Sequence, residues 1–98
     1  MAAKLVVIAG ADQGQIVPLK DDAKVTIGRG DQANFKLGDT TVSRIHCLVE
    51  MVGKDAIVKD CASKSGTHIN GRAITEHKLQ PDEVIKIGST QIRFEREI

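Results

Sequence analysis

Aromatic side chains are almost missing from this 98-residue chain: it has Phe35 and Phe94 but no Trp and no Tyr. That argues against a surface on which nucleic-acid bases stack, and it leaves Val, Ile and Leu to build the core. Branched aliphatics fit a pleated surface, so the composition favours sheet. An excess of one charge is missing too. Lys and Arg number 14 against 13 Asp and Glu, a formal net charge of +1. No global field draws such a chain onto nucleic acid or anionic lipid, so any anion site must be local and built by geometry. The two cysteines, Cys47 and Cys61, form no C-x-x-C pair, and two thiols alone do not make a metal site. Reduced thiols in a cytoplasmic protein are the expectation, with no metal and no cofactor. The first residues lack the regions of a secretory leader, and no apolar run approaches the length of a membrane span.

What is present is a set of short apolar or alternating runs punctuated by Gly, Asp and Asn. The length suits one domain with one core, here residues 1–98, and the apolar fraction of 41% is ordinary for a globular protein. Runs at 4–9, 15–19, 24–27 and 34–37 read as strands, with Pro18 marking its run as an edge. The longest run is 45–52. In it Ile45, Cys47, Val49 and Met51 share one face, while His46, Leu48, Glu50 and Val52 share the other. Gly53-Lys54 reads as a hairpin turn into 56–59, and Gly88-Ser89 as a turn between 83–87 and 90–96. In the last run Ile92 and Phe94 oppose Gln91, Arg93 and Glu95, a period of two that places one face in a core. No window carries a capped helical stripe, and residues 37–42 and 75–82 read as loops. Many short strands with turn residues between them predict an all-β sandwich or small barrel, with binding residues on loops at its ends.

Three polar stretches between the runs need explaining together. They are Ile27-Gly28-Arg29, then Ser43-Arg44-Ile45-His46, then the segment from Asp60 to Gly71 that contains Ser63-Lys64-Ser65-Gly66-Thr67-His68-Ile69-Asn70-Gly71. Each alone is weak, since Gly-Arg is common, Ser-x-x-His recurs by chance and Asn-Gly is usually just a turn. Their order and spacing resemble the forkhead-associated (FHA) family. Its signature is Gly-Arg after an early strand, Ser-x-x-His opening a central strand, and a Ser-x-Asn-Gly-Thr-x-x-Asn-Gly loop. The resemblance runs over nearly the whole chain. It implies a β-sandwich of about eleven short, mostly antiparallel strands that binds phosphothreonine peptides through loops at one end.

The chemistry of the matched residues agrees with that implication. A phosphothreonine carries nearly two negative charges and three strong acceptor oxygens. Arg29 offers a planar, permanently charged fork; the plain alternative is an ion pair with Asp31. Ser43 can donate a hydroxyl hydrogen bond to a phosphate oxygen; otherwise it stabilises a turn. Arg44 adds charge beside it, either as a phosphate or peptide contact or as an exposed rim charge. The resemblance makes His46 structural, tying the loop rather than catalysing. Gly28, Gly66 and Gly71 read as backbone requirements, and Asn70 as a brace bonded to neighbouring backbone. Ser65 is a departure, standing where the family has an Asn that bonds the peptide backbone. Losing that bond costs about 0.5–1.5 kcal/mol, roughly two- to tenfold in affinity, with Lys64 alongside as a compensating charge.

An enzyme is not expected. Ser43 with His46, or Cys61 with His68, could be cast as nucleophile and base, but no third group and no strand-to-helix turn activates them. The serious rival is the same fold used as a phosphate-independent scaffold or intramolecular clamp, which Ser65 keeps open. The expected partner is a phosphothreonine protein or peptide, with no nucleic acid, no membrane, and a monomeric isolated domain.

Overall fold

The computed structural model describes residues 3–97, which form eleven strands. In chain order they are β1 (Ala3–Ala9), β2 (Ile16–Leu19), β3 (Lys24–Gly28), β4 (Phe35–Lys36), β5 (Cys47–Val52) and β6 (Asp55–Asp60). β7 (Thr67–Ile69), β8 (Arg72–Ile74), β9 (Glu76–Lys78), β10 (Val84–Ile87) and β11 (Thr90–Arg96) complete the set. A six-stranded sheet has the order β2-β1-β11-β10-β7-β8, and a five-stranded sheet has the order β4-β3-β5-β6-β9. All pairings are antiparallel except β3 with β4. Among the described residues, no helix is long and apolar enough to cross a membrane.

Alternation decides which side chains the two sheets share. Leu5 and Val7 of β1, Ile85 and Ile87 of β10, and Ile92 and Phe94 of β11 are buried to 1% exposure or less. They face Ile27, Cys47, Val49, Ala56 and Val58 of the other sheet, all without exposure. Burying one large side chain among them contributes about 1.5–3 kcal/mol, so the shared inner faces are a main part of the drive to fold. Pro18 lies on β2, which is an edge strand. A proline is tolerated there because its missing N–H would have faced outward. The two hairpin turns fall where expected: Gly53-Lys54 joins paired Val52 and Asp55, and Gly88-Ser89 joins paired Ile87 and Thr90.

Three expectations need correction. Residues 75–82 are not all loop, because Glu76–Lys78 forms β9 against β6. Short edge strands with one neighbour and no apolar alternation leave little periodic trace, and β7 and β8, of three residues each, are equally faint. His46 does not lie on an outer face of the long strand. The strand begins only at Cys47, and His46 is fully buried in the turn before it. Ile45 for the same reason is only half-buried rather than part of the inner face.

Candidate functional site

Loops 10–15, 29–34, 37–46 and 61–66 meet the 88–89 turn at one end of the sandwich. β3 delivers Arg29 there. The Arg29 N–H donates to the Ser43 carbonyl (3.1 Å), the Gly30 N–H to the Arg44 carbonyl (3.0 Å) and the His46 N–H to the Ile27 carbonyl (2.8 Å). Gly28 makes this approach feasible. A Cβ on it would lie 2.0 Å from the Arg44 carbonyl oxygen and 2.8 Å from that of Ser43, far inside van der Waals contact. Only hydrogen fits between the two backbones.

His46 joins that pair of loops to a third. Its Nδ1 accepts from the Ser43 N–H at 3.0 Å, which fixes the ring hydrogen on Nε2, and Nε2 donates to the Gly66 carbonyl at 2.8 Å. The His46 carbonyl accepts from the Cys61 N–H at 2.9 Å. His46 thus meets Ser43 through the backbone and not through the hydroxyl, so it is not positioned as a base for that Ser. The Ser43 hydroxyl oxygen instead accepts from the Lys64 N–H at 3.0 Å. Among the described residues its own hydrogen has no acceptor and is free to donate outward.

Two buried or half-buried carboxylates hold these loops, and neither stood out in the sequence. Asp60 accepts from the Ser63 hydroxyl (2.5 Å), the Ser63 N–H (3.2 Å) and the Thr67 hydroxyl (2.7 Å), and the Ser63 hydroxyl accepts from the Gly66 N–H (3.0 Å). Asp39 accepts from the Thr41 N–H and hydroxyl at 2.9 and 2.6 Å, and from the Ser89 N–H and Thr90 hydroxyl at 2.9 and 2.8 Å. Burial works to raise both carboxyls, but these hydrogen bonds outweigh it and hold each below its ordinary value. Asp-x-Thr and Asp-x-x-Ser are local turn signals that point to such side-chain-to-backbone bonds.

The cations sit on this frame unpaired. Asp31, the alternative partner for Arg29, meets Lys36 Nζ instead at 2.5 Å, and that bond holds its carboxyl low. Among the described residues neither Arg29, Arg44 nor Lys64 has a carboxylate partner. Arg29 and Arg44 line one depression with Gly30, Asp31, Gln32 and Ile45, so the carboxylate that Lys36 pairs also borders it. Ser43 lies beside it on the same turn as Arg44. Lys64 is exposed, and Ser65 directs its hydroxyl to the Thr41 carbonyl at 3.5 Å while lining a separate trough on the six-stranded sheet. The candidates therefore share one end of the molecule but not one closed pocket.

Asn70 and Gly71 are elsewhere. Both have positive φ, 53° and 78°, in the two-residue turn between β7 and β8, at the end of β7 away from Gly66. The Asn70 amide donates to Glu83 at 3.3 Å rather than to neighbouring backbone, so this pair shapes the hairpin and reaches the loop end only through β7. Gly66, at φ 87°, is a loop requirement as expected. Burial pushes the Cys47 thiol up to about 12 and also raises that of Cys61, leaving little thiolate at neutral pH. Among the described residues no hydrogen bond joins Cys61 to His68.

Known proteins resemble this chain in sequence and fold. The family model described as "Inner membrane component of T3SS, cytoplasmic domain" matches residues 6–97. FHA domain-containing protein FhaA of Mycobacterium tuberculosis is 35% identical over 79 residues, 81% of this chain and 15% of FhaA. The oxoglutarate dehydrogenase inhibitor of Corynebacterium efficiens is 32% identical over 93 residues, 95% of this chain and 65% of the inhibitor. The chain thus spans less than two thirds of either relative's length. A structure solved in work on phosphothreonine-dependent FHA domain interactions superposes with TM-score 0.89 at 30% identity, covering 100% of this chain and 99% of that one. The FHA domain of a Chlamydia trachomatis protein gives TM-score 0.95 at 25% identity, with 100% of both chains covered.

Proposed function

The chain belongs to the forkhead-associated family, and from that premise we propose that it is a phosphothreonine-dependent protein-binding module, not an enzyme, with Arg29 and Ser43 holding the phosphate. The observation that carries this reading is the junction of the two loops. Backbone bonds from Arg29 and Gly30 to Ser43 and Arg44, closed over Gly28, join the backbone of a residue whose guanidinium has no carboxylate partner to that of one whose hydroxyl hydrogen has no acceptor among the described residues. A doubly charged phosphoryl group asks for such donors, and a site preorganised by Asp39, His46 and Asp60 spends little further entropy in ordering itself. Arg44 and Lys64 add charge at the rim, and Ser65 stands where the family's Asn bonds the peptide backbone beside the phosphothreonine, with its shorter hydroxyl turned to the Thr41 carbonyl. Gly28, His46 and Gly66 support these contacts. The relatives lend weight to the same reading, since one neighbour was solved in work on phosphothreonine-dependent interactions. The setting is the cytoplasm, with residues 1–98 acting as one module of a larger protein.

Titration of a degenerate phosphothreonine peptide pool and its unphosphorylated counterpart, followed by fluorescence anisotropy, tests the proposal. Only the phosphorylated pool should bind, and Arg29→Ala should abolish that binding while leaving the thermal transition nearly unchanged, because Arg29 is exposed and, among the described residues, bonded only through its backbone. Equal binding of the two pools would replace this reading with the phosphate-independent scaffold.

A further inference from the structure

We propose that Asn70-Gly71 is a self-modifying site: the turn converts its own amide to aspartate or isoaspartate, and the new carboxylate, set against Glu83, loosens the β7–β8 hairpin. This chemistry is independent of the phosphopeptide reading and goes beyond it. The nucleophile is the Gly71 main-chain nitrogen. It attacks the Asn70 side-chain carbonyl carbon and a cyclic imide forms. The amide nitrogen leaves as ammonia, taking up the proton that the Gly71 nitrogen gives up. Water then opens the imide at one of its two carbonyls. One opening gives aspartate, and the other gives isoaspartate, in which the main chain runs through the side-chain carbon.

The fold leaves both reacting groups open. Asn70 and Gly71 are exposed, and among the described residues the Gly71 N–H has no hydrogen-bond partner. A Cβ on Gly71 would have no atom within 4 Å, so the space beside the attacking residue is clear. The two residues are the whole connection between paired Ile69 and Arg72. β8 is an edge strand of three residues, so opening this turn far enough for the attack breaks few contacts. Asn34, the other Asn of the chain, is the contrast. Its side-chain oxygen accepts from the Thr26 N–H and hydroxyl, both at 3.0 Å, and the residue after it is the buried Phe35 of β4.

One long bond restrains the Asn70 amide, the 3.3 Å contact to Glu83, and that bond decides what the product does. Glu83 also accepts from the Gln80 N–H at 2.6 Å and meets His77 Nε2 at 3.0 Å, and its side chain is only 16% exposed. Conversion removes one of its donors and sets a second carboxylate in that place. Asp82 lines the same trough and adds to the repulsion, while Lys86, also in the trough, belongs to the row of His68 nearer the loop end. Isoaspartate goes further, because it lengthens the main chain inside a two-residue turn whose ends the Ile69–Arg72 pair fixes. β7 keeps its pairing with β10, so the damage is confined to the edge of the sheet.

The test ages the whole chain at mildly alkaline pH beside a synthetic peptide of residues 67–73, and peptide mass mapping follows the amides at positions 70 and 34. Asn70 in the folded chain should convert no more than about tenfold more slowly than in the peptide, and Asn34 should keep its amide. Gly71→Ala, which places a methyl group beside the attacking nitrogen, should slow the conversion several-fold. The aged chain and Asn70→Asp should both melt about 4–8 °C below the fresh chain. An Asn70 that keeps its amide while the peptide converts shows that the turn protects it, and the site falls. A Gly71→Ala chain that converts as fast as wild type overturns the cyclic route. Conversion that leaves the melts of the aged chain and of Asn70→Asp unchanged overturns the clash with Glu83.

Discussion

Replacing Gly28 with Ala adds one methyl group at the tightest point in the molecule. That Cβ would sit 2.0 Å from the Arg44 carbonyl oxygen, 2.6 Å from the Arg44 carbonyl carbon and 2.8 Å from the Ser43 carbonyl oxygen. All three are backbone atoms, so no side chain can swing aside and the 43–46 turn must move by more than 1 Å, a shift of about the size that ends hydrogen bonding at 3.0–3.1 Å. Overpacking costs about 1–3 kcal/mol. The two backbone bonds from Arg29 and Gly30 add about 1 kcal/mol each if they are lost. A total of about 3–5 kcal/mol is a large share of the roughly 5–15 kcal/mol typical of a whole domain. For a chain of this size it lowers the melting temperature by about 12 °C or more, at roughly 4–8 °C per kcal/mol. Urea and thermal unfolding followed by circular dichroism measure it. Gly71→Ala is the comparison: its φ is 78° but no atom lies within 4 Å of the new Cβ, so only local strain of order 1 kcal/mol follows. A Gly28→Ala protein as stable as wild type, or less affected than Gly71→Ala, would refute the close-approach argument.

Acid should weaken the loop end first. Asp39 and Asp60 are held below the ordinary carboxyl value of 3.8, so the stability they contribute is complete above that value and is lost as pH falls through their lower native values. Asp39→Asn should accordingly cost about 1–3 kcal/mol at neutral pH, and the gap from wild type should narrow in melts below pH about 4. Phosphopeptide affinity should fall below about pH 6, where the phosphate takes up its second proton, and should fall with added salt, both readable by anisotropy. In iodoacetamide at mildly alkaline pH, Cys61 should react slowly and Cys47 only as fast as the protein unfolds, as mass spectrometry of quenched samples would show; prompt labelling of Cys47 would contradict its burial.

The strands that carry alternation were legible in the sequence. β11 matches residues 90–96 end to end, and the long strand, both tight hairpins and the edge position of Pro18 follow from period and turn chemistry. β8 and β9 were not legible, because Arg-Ala-Ile and Glu-His-Lys carry no pattern and owe their conformation to the strands beside them. At the loop end the glycine and the structural histidine could be read as support, but the reason for each lay in partners remote in sequence: Arg44 for Gly28, Gly66 for His46. In the sequence Asp39 reads as one more loop residue, since its partners Ser89 and Thr90 lie 50 and 51 positions away. Asn70 differs for the opposite reason: its turn is local in sequence, while its amide reaches Glu83.

The Asp39 bonds to Ser89 and Thr90 also order events in time. While the chain is being made, Asp39 leaves the ribosome long before the residues that complete its shell. Until the final hairpin arrives the carboxylate lacks two of its donors, and burying it in that state is costly. Until then the 37–46 loop lacks the two contacts that Ser89 and Thr90 give it through Asp39.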